Sequence, residues 1–230
     1  MKIKQYIVLI FFVSLTSTML KAQSFDVDTT KKVRKIYKTI NYFNYGVNGG
    51  LFMGGVNFYD KSGFNTAFYP RMQGGVNALF KNKFWSGVQL ELNYKQKGWK
   101  QRYDNGDEFT VSLNYIEVPL LTHFEVGEKW RIRPMLNAGP FVAFMLDKKI
   151  TDDITDASQR LPYQDAEIDN TFEFGLIAAI GAIANFDNLA ASLEFRFNQT
   201  WTHIYDQSVM SFSQNQIYGL CLTVYFKGNK

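Results

Sequence analysis

From residue 45 onward, apolar and polar side chains alternate with a period of two in one segment after another. The pattern is cleanest over Leu189–Thr200, where Leu189, Ala191, Leu193, Phe195 and Phe197 share one parity and Ser192, Glu194, Arg196 and Asn198 the other. Such sorting predicts a strand, because successive side chains of an extended chain point to opposite faces. Residues 84–96 repeat it, with Val88, Leu90, Leu92 and Tyr94 set against Gln89, Glu91, Asn93 and Lys95. So do residues 130–144, where Ile132, Leu136, Ala138, Val142 and Phe144 oppose Arg131, Arg133, Asn137 and Gly139. Weaker alternation over 45–58, 72–80, 113–124, 172–184 and 216–226 brings the predicted strands to eight. Within 113–124, Pro119 has no N–H to give to a ladder, which predicts a bulge or a weak pairing there.

The connections alternate between short and long. Residues 81–83, 127–129 and 185–188 suit hairpin turns, while 59–71, 97–112, 147–171 and 201–215 are longer polar stretches. Short turns at one end and long loops at the other predict an all-β fold, an eight-stranded antiparallel up-and-down transmembrane β-barrel with periplasmic turns and extracellular loops. In hydrocarbon every backbone N–H and C=O needs a partner, so 45–58 is expected to close the ring against 216–226. The chain is 17% aromatic, and Tyr45, Phe80, Phe84, Trp85, Phe124, Trp130, Phe144, Phe172, Trp201 and Phe226 fall near strand ends, where two headgroup girdles would place them.

Residues 1–22 read as a secretory signal peptide: Lys2 and Lys4 precede a short apolar run over 6–13, and Ala22 offers a small residue for cleavage. The run is too short to cross a bilayer as a helix. Residues 23–44 then form a periplasmic extension, 45–226 the outer-membrane barrel and 227–230 a tail. The extension's basic stretch, Lys31, Lys32, Arg34, Lys35 and Lys38, is expected to be solvated, with contact to a partner or anionic lipid as the alternative. Removing Lys2, Lys4 and Lys21 leaves 22 of the 25 basic residues against 21 acids, so no electrostatic case for nucleic acid survives. The lone cysteine, Cys221, excludes an internal disulfide, and its inward parity reads as a small buried residue.

Inward positions of so narrow a barrel are filled by side chains. Glu91, Lys95, Glu117, Glu194 and Arg196 are expected near mid-height as an ion-pair network, since an unpaired charge there would cost several kcal/mol. Nearer the periplasm, His123 and Glu125 should face Arg131 across the Gly127 turn. Structural filling is preferred to a proton path or small-ion site. The extracellular stretch holding Asp147, Asp152, Asp153, Asp156, Asp165, Glu167 and Asp169 is an acidic surface, read as solubility, with calcium or divalent bridging to lipopolysaccharide as the alternative. His203 with Asp206 and Ser208, Ser211 or Ser213 is the one candidate nucleophile and base set, and polar residues crowded into one loop meet that pattern by chance. Histidine and cysteine show no metal-ligand spacing and no glycine-rich phosphate loop occurs, so no catalytic residue, cofactor or resident metal is expected. Strand glycines such as Gly49, Gly50, Gly54, Gly55, Gly74 and Gly75 are read as permitting curvature and tight interior packing.

Four stretches carry a resemblance: Tyr45-Gly46-Val47-Asn48-Gly49-Gly50, Leu90-Glu91-Leu92-Asn93-Tyr94-Lys95-Gln96-Lys97-Gly98, Leu113-Asn114-Tyr115-Ile116-Glu117-Val118-Pro119-Leu120-Leu121 and Asn137-Ala138-Gly139-Pro140-Phe141. Together they closely resemble the PorT-like outer-membrane β-barrel proteins of the Bacteroidetes, over about 45–226. The resemblance implies an eight-stranded outer-membrane barrel with no known enzymatic chemistry. Its namesake is associated with protein secretion and gliding. The expectation is a non-enzymatic barrel, monomeric or a subunit of a larger envelope complex, with outer-membrane lipid, lipopolysaccharide and other envelope or secretion proteins as partners. The alternatives are an accessory part of a secretion and gliding machinery and a barrel enzyme acting on outer-leaflet lipid.

Overall fold

The computed structural model describes residues 42–58, 65–67, 69–83, 85–103, 105–155, 164–165, 168, 170–205 and 213–228. The expected signal peptide and the basic stretch after it lie outside these residues. The strands are β1 (Tyr42–Phe58), β2 (Asn65–Ala67), β3 (Tyr69–Lys83), β4 (Ser86–Arg102), β5 (Glu108–Glu125), β6 (Ile132–Asp152), β7 (Phe172–Asn185), β8 (Leu189–Thr200) and β9 (Ser213–Lys227). All but the short β2 pair antiparallel with their neighbours in sequence, and β1 pairs with β9, so eight strands form a closed ring. β2 adds only to the upper end of β4, at Lys100–Arg102.

The ring turns a soluble protein inside out. Leu51, Val76, Leu92, Ile180, Leu193 and Leu222 face outward and are exposed, while Gln89, Glu91, Asn93, Glu117 and Arg196 face inward and are buried. Such a continuous apolar band is tolerable only against lipid. Aromatic pairs border it at both ends. Phe43–Phe80, Tyr45–Phe226 and Trp85–Phe124 lie at the turn end, with ring centroids 4.8, 5.6 and 6.3 Å apart. Phe144–Phe172 and Phe174–Trp201 lie at the loop end, at 5.2 and 5.8 Å. Phe84 lies outside the described residues.

Several boundaries differ from the sequence reading. The stretch 97–112, predicted as a loop, is mostly ladder: β4 runs to Arg102 and β5 starts at Glu108. A tight turn joins them, in which Gly106 N–H donates to the Tyr103 carbonyl at 3.0 Å. β6 likewise continues to Asp152. Residues 81–83, predicted as a turn, belong to β3, where Lys81 pairs with Gly87. Charged residues at strand ends alternate inward and outward like any others, and their polarity imitates a loop. At Pro119 the β4–β5 ladder is interrupted between Leu90↔Leu120 and Asn93↔Glu117 without a change of register. The pairing is therefore weak there but not bulged, and the bulge in the β5–β6 ladder lies in β6, where Leu146 is the extra residue opposite Asn114/Tyr115.

Glycine is required where the interior is tightest. A methyl group on Gly75 would collide with Asn93 Oδ1 and the Leu92 carbonyl. Gly98 has a φ of +124°, and a side chain there would strike the Val111 carbonyl. It lies between Lys95, where β3 ends its pairing with β4, and Lys100, where β2 begins.

Candidate functional site

Alternation on β3 to β9 delivers polar side chains to the lumen at successive heights, and they gather into tiers. In the middle tier, Arg196 of β8 reaches across to Glu91 of β4, donating through Nη1 and Nη2 at 2.8 and 2.6 Å, while its Nε donates to Glu194 Oε1 at 2.5 Å. Asn93 Nδ2 and Gln89 Nε2 complete the shell of Glu91 at 2.7 and 2.5 Å. Toward the loops, Lys95 donates to Glu117 at 3.0 Å, and Lys97 lies 3.1 Å from Glu117 and 2.7 Å from Glu173. The Lys97 ammonium sits 4.8 Å from the ring centres of both Tyr115 and Phe141. This contact adds π-face stabilisation to a fully buried ammonium.

At the turn end, Glu125 collects Lys81 at 2.5 Å, His123 Nε2 at 2.8 Å and Arg133 at 2.9 Å. Asn137 links this tier to the middle one. Its Nδ2 donates to Glu194 at 2.7 Å, and its Oδ1 lies 2.7 Å from His123 Nδ1. The link matters electrostatically. The middle tier holds one cation against two carboxylates and the lower one adds Lys81 and Arg133 against Glu125, so the two balance only together.

The structure divides the five lumen residues named from sequence into two groups, Glu91–Glu194–Arg196 and Lys95–Glu117. It adds Lys97, Glu173 and Lys81, which sequence reasoning missed. Arg131 does not join His123 and Glu125. It precedes β6, is exposed and lies over the Phe186 ring at 5.6 Å, and Arg133, two residues further along the same parity, takes its place. The turn runs over 126–131, not 127–129 as the sequence reading assumed, which carries Arg131 out of the lumen. Cys221 is buried on the inward face beside Phe52 and Ile217.

Above the ions the filling changes character. Trp99, Phe109, Val111, Leu113, Phe141 and Ile177 from the strands pack with Ile168, Ile204 and Tyr205 from the loops in one buried apolar cluster at the extracellular mouth. Trp99 meets Tyr205 edge-on at 6.1 Å, and burial pushes the Tyr205 phenol above its ordinary range.

The remaining candidates are dispersed. His203 Nδ1 accepts the Ser213 N–H at 3.3 Å, and Ser213 Oγ accepts the Tyr205 N–H at 3.1 Å, which points that hydroxyl at backbone. Asp206, Ser208 and Ser211 lie outside the described residues, as do Asp156, Glu167 and Asp169 of the acidic stretch. Asp147 and Asp152 stand on β6, and Asp153 follows it. Asp165 lies apart in sequence on the same connection. Among the described residues no His, Cys, Asp and Glu side chains group as metal ligands.

Solved outer-membrane proteins are similar to this chain. OprG of Pseudomonas aeruginosa is similar with a TM-score of 0.51 at 10% identity, over 81% of this chain and 96% of that one. Neisserial surface protein A gives 0.45 at 12% identity, over 81% and 97%, and AlkL gives 0.43 at 9% identity, over 89% and 98%. A search of curated proteins yields no significant match. Residues 21–206 match the model of the outer membrane protein beta-barrel domain. With its closed antiparallel ring, lipid-facing apolar band and charged interior, the chain belongs to that family and is a protein of the outer membrane.

Proposed function

We propose that this protein is a non-conducting, non-enzymatic barrel that serves as a rigid scaffold for docking an envelope partner at its extracellular end or along its body. The observation that supports this reading is the double filling of the lumen, with ion pairs below and the Trp99–Tyr205 cluster above. A chain evolved to pass solute would have to break charge pairs in a space that cannot rehydrate them. Fold alone assigns no chemistry.

The likeness to PorT-like proteins of the Bacteroidetes favours a secretion or gliding assembly as the partner. The residues that carry it, among them Asn93, Lys95, Lys97, Glu117 and Leu121, are buried in the lumen. They speak for a shared interior and leave the partner to the surface. In planar bilayers the purified barrel is expected to give no conductance steps, and porin-like steps would overturn the scaffold. Cross-linking in native outer membranes followed by mass spectrometry is expected to recover a stoichiometric envelope partner.

A further inference from the structure

Among the described residues, the ion pairs of the lumen set five Lys and Arg side chains (Lys81, Lys95, Lys97, Arg133 and Arg196) against five Glu side chains. Arg71 of β3 stands outside that balance. It is only 5% exposed, yet among the described residues no carboxylate pairs with it. Its Nη2 donates to the Val111 carbonyl at 2.8 Å, and its Cζ lies 4.2 Å from the centre of the Tyr69 ring. Its Nε has no hydrogen-bond partner among the described residues. A carbonyl and a ring solvate part of the guanidinium but supply no counter-ion, and a buried charge is costly unless it is paired.

The strand pairings place this cation at the edge of the lipid. β3 leaves β4 at Gln73↔Lys95 and β2 joins β4 at Ala67↔Lys100, and Arg71 lies in the interval. Its guanidinium passes over Gly98, where a methyl group would stand 3.1 Å from Nη2. On the outer surface the apolar band ends at the same height. Pro70 pairs with Met53, which pairs with Tyr218 on its other side, and the next outward pair toward the loops is Gly55↔Gln216. On β4 the outward Tyr94 is likewise followed by Gln96. Tyrosines at such a boundary mark the headgroup level. Lys100 brings an ammonium within 5.9 Å of the Tyr69 ring, but Glu108 at 2.5 Å balances it. The surroundings of Arg71 therefore lack one negative charge. A guanidinium fork matches the oxygens of a phosphate, and phosphate is the anion that lipid headgroups present at this height.

We propose that Arg71 binds a phosphate group of an outer-leaflet lipid in the interval where β3 parts from β4. The test uses the full-length barrel in nonionic detergent micelles, which contain no phosphate, and lipid A with and without its phosphate groups. Native mass spectrometry is expected to find the phosphorylated lipid retained, and Arg71→Gln should weaken retention about tenfold, as loss of one charge-assisted contact. Lys148→Gln, at an exposed lysine elsewhere on the loop end, should leave retention unchanged. Equal retention of the dephosphorylated lipid, or an Arg71→Gln barrel that holds lipid like the wild type, overturns the site. Inorganic phosphate that displaces the lipid at equal concentration assigns Arg71 to a soluble anion and overturns the lipid. Unfolding in lipid-free micelles gives a second reading. Arg71→Met removes a cation that has no counter-ion there, so its midpoint should stay close to that of the wild type. A loss as large as that of Arg196→Met would mean that the chain supplies its own carboxylate, and the inference falls.

Discussion

The lumen is one cylinder filled in two ways. Toward the periplasm it is held by hydrogen-bonded charges contributed from β3, β4, β5, β6 and β8. At the extracellular mouth it is held by aromatic and aliphatic contacts to which two loops contribute Ile168, Ile204 and Tyr205. The two fillings do different physical work. Glu91, Glu117 and Glu125 each have a cation on another strand, so a strand slipped by two residues keeps its inward face but strands its charge. Apolar side chains accept many near-equivalent packings, so the mouth excludes water and specifies register weakly. Ionic tiers select one barrel among several that lipid alone would allow, a role that buried ion pairs fill better than that of adding stability.

Breaking the lower half by removing one partner should therefore cost most. Arg196→Met leaves Glu91 and Glu194 buried without their cation, with an expected loss of about 3–5 kcal/mol read from urea unfolding in bilayers. Adding Glu91→Gln and Glu194→Gln should recover most of that loss. If Arg196→Met alone unfolds like the wild type, the tiers do not specify register as described. In the upper half, Trp99→Ala should cost about 3 kcal/mol as a cavity. It should produce no conductance in planar bilayers, because the ions below still seal the bore. Lys97→Met probes the border between the halves. It should cost about 2 kcal/mol, less than Arg196→Met, since Lys95 still serves Glu117 and Asn215 still serves Glu173. The smallest effect belongs to the projecting end of β6, where Lys148 is exposed and Lys148→Ala should leave the unfolding midpoint within error.

What the sequence shows and what it hides divides along the same line. Wherever lipid lies outside, every outward residue must be apolar, so Leu90, Leu92 and Tyr94 set against Glu91, Asn93 and Lys95 reveal both strand and face. Above the lipid band that contrast vanishes. Lys97, Gly98, Trp99, Lys100 and Gln101 read as loop, although Lys97, Trp99 and Gln101 are fully buried. Lys97 is lost from the predicted network for this reason, and Glu173 with it, because its neighbours Gly175, Ile177 and Ala179 alternate too weakly to mark a face. Arg131 and Arg133 share a parity, so periodicity cannot choose between them, and only the path of the turn does. The apolar cap was not legible either: Ile168 and Ile204 come from connections whose return to the mouth is a long-range event with no local period.

The pairing of β1 with β9, from Asn44↔Lys227 to Phe58↔Ser213, joins the first and last strands of the barrel. Until β9 is present, β1 and β8 carry bare edges that a bilayer cannot satisfy. A chain that lacks β9 would therefore fail to insert. The seam needs the longest chain closure in the molecule and is the slowest kind of contact to form. Release of the complete polypeptide into the periplasm must precede its entry into lipid, and anything that delays β9 holds the whole molecule in water.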